Sequence, residues 1–351
     1  MSDRGDAGAT RIVVFTAASV ITIIGVHLGA GLISPLLLAL VLVITVHPVR
    51  HALEARRMPP WLATAAVIAI AWAVLLAIVV LTVAAGGLFV RVVEDHAPEL
   101  GAGRDAIRSV TDALGYPRVT GDAVSEWLDP RAIVEVTAGI AGELATVVLA
   151  FAFVLVYVLY LAVDAPIIDG AVERFRSTRA ALVDAFTSYA GSVRRYYVIN
   201  TVFGAVVALL DGVLLWAAGV PGVFAWAVLA FITNYIPSVG FIIGLVPPTV
   251  LAFAVGGWQS GLVVLIGYCA INVGLQVFVQ PRFVSQAVRL NLTLTFFSVV
   301  FWTAVLGPIG AVLAIPMTLL VRTVLLRSSL GAHPLGRWLT GDPPPEDPLR
   351  S

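Results

Sequence analysis

Gly222–Val255, GVFAWAVLAFITNYIPSVGFIIGLVPPTVLAFAV, is the stretch whose reading decides the fold. It is almost continuously apolar over about 34 residues, and as one straight α-helix it would run about 50 Å, against about 30 Å for the hydrocarbon core of a bilayer. Something must break it. Asn234-Tyr-Ile-Pro237-Ser-Val-Gly240 does so at the middle, because proline donates no backbone N–H and cannot continue a helix cleanly. Each arm is then about 15 residues, or about 22 Å, too short to cross comfortably. Leu292–Leu326 repeats the design, with Leu306-Gly307-Pro308-Ile-Gly310 at its middle. Pro316 stands in its returning arm where Pro247 and Pro248 stand in the first.

A full-length apolar segment precedes each hairpin, Tyr197–Ala218 before the first and Gly261–Val279 before the second. Helix plus hairpin, twice and in opposite senses, is the pattern of an inverted-topology repeat. In transporters built this way, substrate sites lie near the bilayer midplane, where broken helix ends meet the cargo. Irregular backbone at that depth needs protein or water beside it. The alternative reading is two ordinary pairs of short transmembrane helices joined by Pro-Gly turns, and loop charge does not separate the two.

The remainder of the chain agrees with a membrane protein. Hydrophobic residues make up 60% and charged residues 12%, where soluble domains run about 45–50% and about 25%. Mean hydropathy is +0.99. The expected organisation is a cytoplasmic tail over 1–11, N-terminal membrane segments over 12–89, and an extracytoplasmic amphipathic helical region over 90–136. A membrane segment over 137–163, a cytoplasmic amphipathic helix over 164–195, a transport core over 196–326 and a disordered cytoplasmic tail over 327–351 follow. Within the first part, Ile12–Leu28 and Pro35–Val46 read as a tight hairpin turning at Gly29-Ala-Gly31. Leu182, Phe186, Tyr189 and Val193 form one apolar stripe flanked by Arg174, Arg176, Arg179, Arg194 and Arg195, as in a helix lying on a membrane surface.

Arginine placement orients the chain. The N-terminal tail, the 48–60 loop, 174–195, 282–289 and the C-terminal tail carry arginine, whereas the turns at 29–34, 219–222 and 256–259 carry none. Both termini are therefore expected inside and 90–136 outside. The outer segment holds five arginines, but over a stretch about twice as long as 174–195. No A-x-A-like site follows the first apolar block, so a cleaved signal peptide is not expected.

The polar residues inside these apolar spans mark the candidate pathway. Asp211 is the only carboxylate deep in the last third, and an ionisable group at membrane depth faces a cavity or a partner. Asn200, eleven residues earlier, shares its helical face. Tyr268, Asn272, Gln276 and Gln280 recur every four residues and form one polar stripe. Such a stripe either lines a hydrophilic path or supplies interhelical hydrogen bonds. Asn234, Ser238 and Gly240 at one hairpin tip, with Pro237, and Gly307, Pro308 and Gly310 at the other, would leave backbone groups free for a solute, although a structural turn explains the glycines equally well. Arg282 is a pathway candidate or an interfacial anchor.

Enzymatic chemistry finds no support. His27, His47, His51, His96 and His333 are scattered without an H-E-x-x-H, and a chain without lysine has no Walker-type G-x-x-x-x-G-K-[ST]. Cys269 is the only cysteine, which excludes a disulfide or a thiolate metal site within one chain. No cofactor or metal is expected. A net charge of zero gives no argument for nucleic acid.

The last third also carries a resemblance. Asn234-Tyr-Ile-Pro-Ser-Val-Gly-Phe-Ile-Ile-Gly-Leu-Val-Pro-Pro248 followed by Gly256-Gly-Trp258 resembles the hallmark of the AI-2E (autoinducer-2 exporter-like) transporters. Gln280-Pro281-Arg282 is similar to the family's Glu-Pro-Arg motif, with Gln280 in place of the acid. Phe301-Trp302, Leu306-Gly-Pro-Ile-Gly310 and Ala314-Ile-Pro316 resemble its closing segment. The resemblance implies an all-α polytopic protein of the bacterial inner membrane with about eight membrane segments, the sixth and eighth being the broken or re-entrant hairpins. It further implies a homo-oligomer, such as a pentamer, and export of a small polar solute like autoinducer-2. A sodium or lithium/proton antiporter using Asp211 is the alternative. A non-transporting scaffold or a channel is the alternative of another class.

Overall fold

The computed structural model describes residues 3–99, 101–102, 144–237, 239–284 and 290–325. Most of 90–136, Ser238 and the 327–351 tail lie outside the described residues. Those described form helices and no strand. In chain order they are α1 (Asp3–Leu28), α2 (Ala30–Ala55), α3 (Pro60–Asp95), α4 (Leu144–Ala217), α5 (Val223–Thr233), α6 (Gly240–Val273), a π-helical turn (Gly274–Val279), α7 (Pro281–Val284), α8 (Leu292–Leu306) and α9 (Pro308–Leu325).

Among the described residues, four helical stretches are long and apolar enough to cross a membrane, Ala30–Ala55, Pro60–Asp95, Leu149–Ala217 and Gly240–Val279, and shorter apolar helices accompany them. Trp61, Leu209, Trp216 and Leu292 are each more than two-thirds exposed, as are few large apolar side chains in a soluble protein. Lipid is the solvent that suits such a surface. The protein is thus an all-helical membrane protein.

The breaks obey local rules. Pro60 occupies the first turn of α3, where its missing N–H costs nothing. α4 runs 74 residues around an internal break at Arg179 (φ −140°, ψ 47°), inside the arginine-flanked stretch. α6 contains a second break at Gly257 (φ 72°, ψ −175°), a conformation glycine adopts at no steric cost. It divides 240–256 from 258–273. Between α1 and α2 a single residue, Gly29, forms the joint, with Gly29 N–H donating to the Gly25 carbonyl and Ile33 N–H to the Gly29 carbonyl. Helical hydrogen bonding thus continues on both sides of a one-residue bend, and Gly31 lies inside α2, in place of the three-residue turn expected there.

The helices group into two compact units. One comprises Met1–His47, Ala150–Ala190 and Leu290–Ser351. Within it, α8 and α9 pack against each other as the second hairpin, turning at Gly307 (φ 73°). Asn291 caps α8 by accepting from the Leu294 N–H at 2.7 Å. The arms are joined by side chains as well, since Trp302 Nε1 donates to Thr318 Oγ1 at 3.1 Å and Thr318 Oγ1 lies 2.8 Å from Ser298 Oγ. At the turn, the carbonyls that end α8 are met by α1 and α2. Ser34 Oγ donates to the Leu306 carbonyl at 2.9 Å, and His27 Nδ1 lies 3.3 Å from that of Val305.

The other unit comprises Pro48–Leu149 and Gly191–Arg289. Its core gathers Val92, Val93, Leu215, Trp226, Leu251, Val264 and Tyr268 from α3, α4, α5 and α6, with Val220 from the turn between α4 and α5. Trp226 is buried, meets Phe89 edge-on with centroids 5.4 Å apart, and donates its indole N–H to the Pro221 carbonyl at 2.8 Å. Here α5 and the 240–256 arm form the first hairpin, broken at 234–239 as the sequence predicts.

Candidate functional site

The site lies within the second unit, where the first hairpin meets α4 and the end of α6. Asn200 and Asp211 both point into the protein, 3% and 0% exposed. On α6, Tyr268 and Asn272 are 1% and 4% exposed, so the polar stripe faces inward, away from lipid.

These side chains form one hydrogen-bonded line. Asn272 Nδ2 donates to the Asp211 carboxylate, at 3.2 Å to Oδ2 and 3.4 Å to Oδ1, and to the Tyr268 carbonyl at 3.0 Å. Gln276 Nε2 donates to Asn272 Oδ1 at 3.0 Å and to Asn234 Oδ1 at 3.2 Å. Asn234 Nδ2 in turn donates to the Asn200 carbonyl at 3.0 Å, and Gln280 Nε2 to Asn200 Oδ1 at 2.8 Å. A continuous run of amides therefore links the tip of the first hairpin to the one carboxylate.

The π-turn keeps the stripe in line. In an α-helix, four-residue steps drift by about 40° each, so Gln280 would rotate away from Asn272. From Gly274 the backbone widens to i→i+5 bonding, as in Gln280 N–H donating to the Leu275 carbonyl at 2.7 Å. A wider turn rotates less per residue and takes the drift back, leaving Gln280 within reach of Asn200. Small residues make the approach possible. A Cβ on Gly204 would stand 3.0 Å from Asn234 Nδ2, and one on Gly244 3.0 Å from Thr233 Oγ1.

Asp211, Ala230, Thr233, Asn234, Phe241, Gly244, Tyr268, Asn272 and Gln276 enclose a cavity. The volume open to the centre of a water is about 10 Å³, about what one water molecule needs. One carboxylate with hydroxyl and amide oxygens around it suits a proton, a water or a monovalent cation. A divalent ion would ask for more anionic oxygens.

The other sequence candidates fall elsewhere. Gly240 does not line the cavity; it begins the returning arm, where a Cβ would collide with the Thr233 carbonyl. Pro237 sits in the break at the tip. Arg282 is exposed in α7. Gly307, Pro308 and Gly310 belong to the hairpin of the first unit, where Gly310 packs on the Trp302 carbonyl as Gly240 does on that of Thr233. The sequence reading overlooked the aromatic cluster beside the Asn234 tip. Tyr235 stacks on Tyr197 with centroids 6.2 Å apart, meets Phe231 edge-on at 5.6 Å and shares a 2.8 Å hydrogen bond with Thr201. The Asn-Tyr dipeptide at the break was the available signal.

A buried carboxylate with one amide donor predicts a stability signature. Asn272→Leu is expected to cost about 1–3 kcal/mol, because the buried Asp211 carboxylate then loses that donor. Adding Asp211→Leu removes the orphaned group, so the double variant should recover most of the loss. Thermal unfolding of the four proteins of this double-mutant cycle measures the coupling, and additive losses would refute it.

Apolar helices of membrane length and a buried polar line ending at a carboxylate describe a helical membrane protein. The chain belongs to the AI-2E transporter family, whose profile matches residues 15–329. It is 25% identical over 324 residues to the AI-2 transport protein TqsA of Escherichia coli (strain K12), covering 92% of this chain and 93% of that protein. A Haemophilus influenzae protein with a provisional transport name is 26% identical over 320 residues, covering 90% and 92%. YhhT of Escherichia coli (strain K12), also provisionally named for transport, is 24% identical over 327 residues, covering 89% of each chain.

Proposed function

We propose that this protein is a secondary transporter that exports a small polar solute across the bacterial inner membrane, with Asp211 carrying the coupling proton or monovalent cation. The observation that supports this reading is the amide line from Asn234 through Gln276 and Asn272 to Asp211. Neutral donors and acceptors suit a polyol-like cargo, and TqsA, which aligns over nearly the whole chain, is named for transport of AI-2. In the same reading both termini are cytoplasmic, 90–136 is outside, and the two hairpins enter the membrane and return as the sixth and eighth of about eight segments. The chain works as a homo-oligomer, such as a pentamer. Arm lengths support the re-entrant reading: the 11 residues of α5 and the 15 of α8 reach about 16 and 22 Å, short of a bilayer core.

One observation favours a second reading, sodium or lithium/proton antiport at Asp211. A cavity the size of one water holds a bare cation but not a furanosyl solute. Under the first reading the solute therefore enters only when the hairpin swings away from the 258–273 part of α6. Everted vesicles bearing the protein test both against a panel of polyols and monovalent cations. Gradient-driven accumulation of a polyol is the expected result. Cation-induced pH change with no polyol movement would select antiport, and neither flux under any ion gradient would sink the transport mechanism at this site.

A further inference from the structure

The Tyr268 hydroxyl is a buried polar group that the proposed mechanism does not use. Its side chain is 1% exposed, it borders the cavity shared with Asp211, and its oxygen has no hydrogen-bond partner among the described residues. Buried hydroxyls are almost always satisfied, because an unmet one costs much of its solvation energy. The Asp211 carboxylate likewise has acceptor positions beyond the one amide that reaches it. Thr233 Oγ1 donates to the Leu229 carbonyl at 2.9 Å, which leaves its lone pairs directed to other donors. The cavity between these three groups has the volume of one water.

We propose that Tyr268 is a positioning residue that holds Asp211 through a single buried water. The Tyr268 O–H donates to the water oxygen, and the two water hydrogens are donated to the Asp211 carboxylate and to Thr233 Oγ1. Three bonds are what a buried water typically makes. They satisfy the tyrosine hydroxyl, give the carboxylate a second donor, and tie α6, α4 and α5 together at the level of the cargo site. The water is also the one mobile donor beside Asp211. It is the molecule that a proton, a cation or a cargo hydroxyl must displace or use, which makes Tyr268 the residue that sets the competition. This consequence for transport rests on the reading of Asp211 as the coupling group; the water bridge itself does not.

Infrared difference spectra of the full-length protein in lipid nanodiscs test the bridge. The carboxyl band lost in Asp211→Asn belongs to Asp211, and an O–H stretching band that moves in H₂¹⁸O reports a bound water. The expected result is that Tyr268→Phe, which removes one oxygen, abolishes that water band and displaces the Asp211 carboxyl band. A water band and a carboxyl band both unchanged in Tyr268→Phe would overturn the proposal. If Tyr268→Phe fails to fold, a high-resolution cryo-EM map of the unmutated protein decides. Density for one water within hydrogen-bond reach of both Tyr268 and Asp211 supports the bridge, and an empty cavity or a direct Tyr268–Asp211 bond refutes it. Flux in Asp211→Asn equal to wild type would remove the coupling role while leaving these spectra to judge the water.

Discussion

Gly240→Val is expected to yield no folded, monodisperse protein. The residue opens the returning arm of the first hairpin, and a Cβ there would overlap the backbone carbonyl of Thr233 in the outgoing arm. A clash with backbone has no flexible partner to absorb it, so the arms must part. Parting them pulls Asn234 from Gln276 and Asn200 and opens the contact between α5 and α6. Overpacking of a well-packed interior costs about 1–3 kcal/mol when side chains can shift, and a rigid backbone contact exceeds that range. Domains hold only about 5–15 kcal/mol in total. Gly310→Val should behave alike, since its Cβ would meet the Trp302 carbonyl in the second hairpin. Gly86→Ala is the control, because nothing lies within 4 Å of its Cβ direction and it sits in the middle of α3. It should leave stability unchanged or slightly raised. Fluorescence-detected size exclusion and thermal unfolding of the three variants give the comparison, and a Gly240→Val protein as stable as wild type would refute the close-packed hairpin.

Much of this architecture was legible because a bilayer imposes lengths. Thirty-odd apolar residues with a proline and a glycine at their centre have to bend, and the breaks at 234–239 and at Gly307 stand where that reasoning puts them. Where hydropathy and proline were silent, the reading was blurred. The Gly29-Ala-Gly31 sequence suggests a three-residue turn, but one glycine suffices to bend two helices whose hydrogen bonds otherwise run on. The break at Arg179 has no glycine or proline at it. Its only local mark is Ser177-Thr178, whose hydroxyls donate to the Arg174 and Phe175 carbonyls and compete with the helix.

The candidate site divides along a similar line. Asn200, Asp211, Asn234, Asn272, Gln276 and Gln280 stand out in the sequence because polar groups in an apolar span must meet something, and in the structure they meet one another. Helical periodicity predicted the shared faces of Asn200 with Asp211 and of Asn272 with Gln276. It did not predict the π-turn that keeps Gln280 in register, since a run such as Gly-Leu-Gln-Val-Phe-Val is compatible with ordinary helix. Gly204, Gly244 and Thr233 were overlooked for a different reason. Their part is to let backbones approach or to border a cavity, and only the packed partners reveal that. Gly240, for which the sequence leaves open free backbone at the tip or a structural turn, packs against the Thr233 carbonyl.

In the proposed mechanism, transport passes through the Asp211 carboxylate. Asp211→Asn is the sharpest perturbation, for it keeps the size and shape of the side chain and removes only the charge. Asn272 Nδ2 can still donate to the remaining carbonyl oxygen, so the fold should stay intact and the thermal midpoint close to wild type. What is lost is the one carboxylate among the residues bordering the cavity, and such groups at membrane depth are costly unless they serve an ion or a partner. The measurement is initial flux into everted vesicles at matched protein levels, using whichever solute or cation the wild type moves under an imposed ion gradient. Asp211→Asn is expected to lower gradient-driven flux by at least about tenfold. Flux in a well-folded Asp211→Asn protein equal to that of wild type would contradict it.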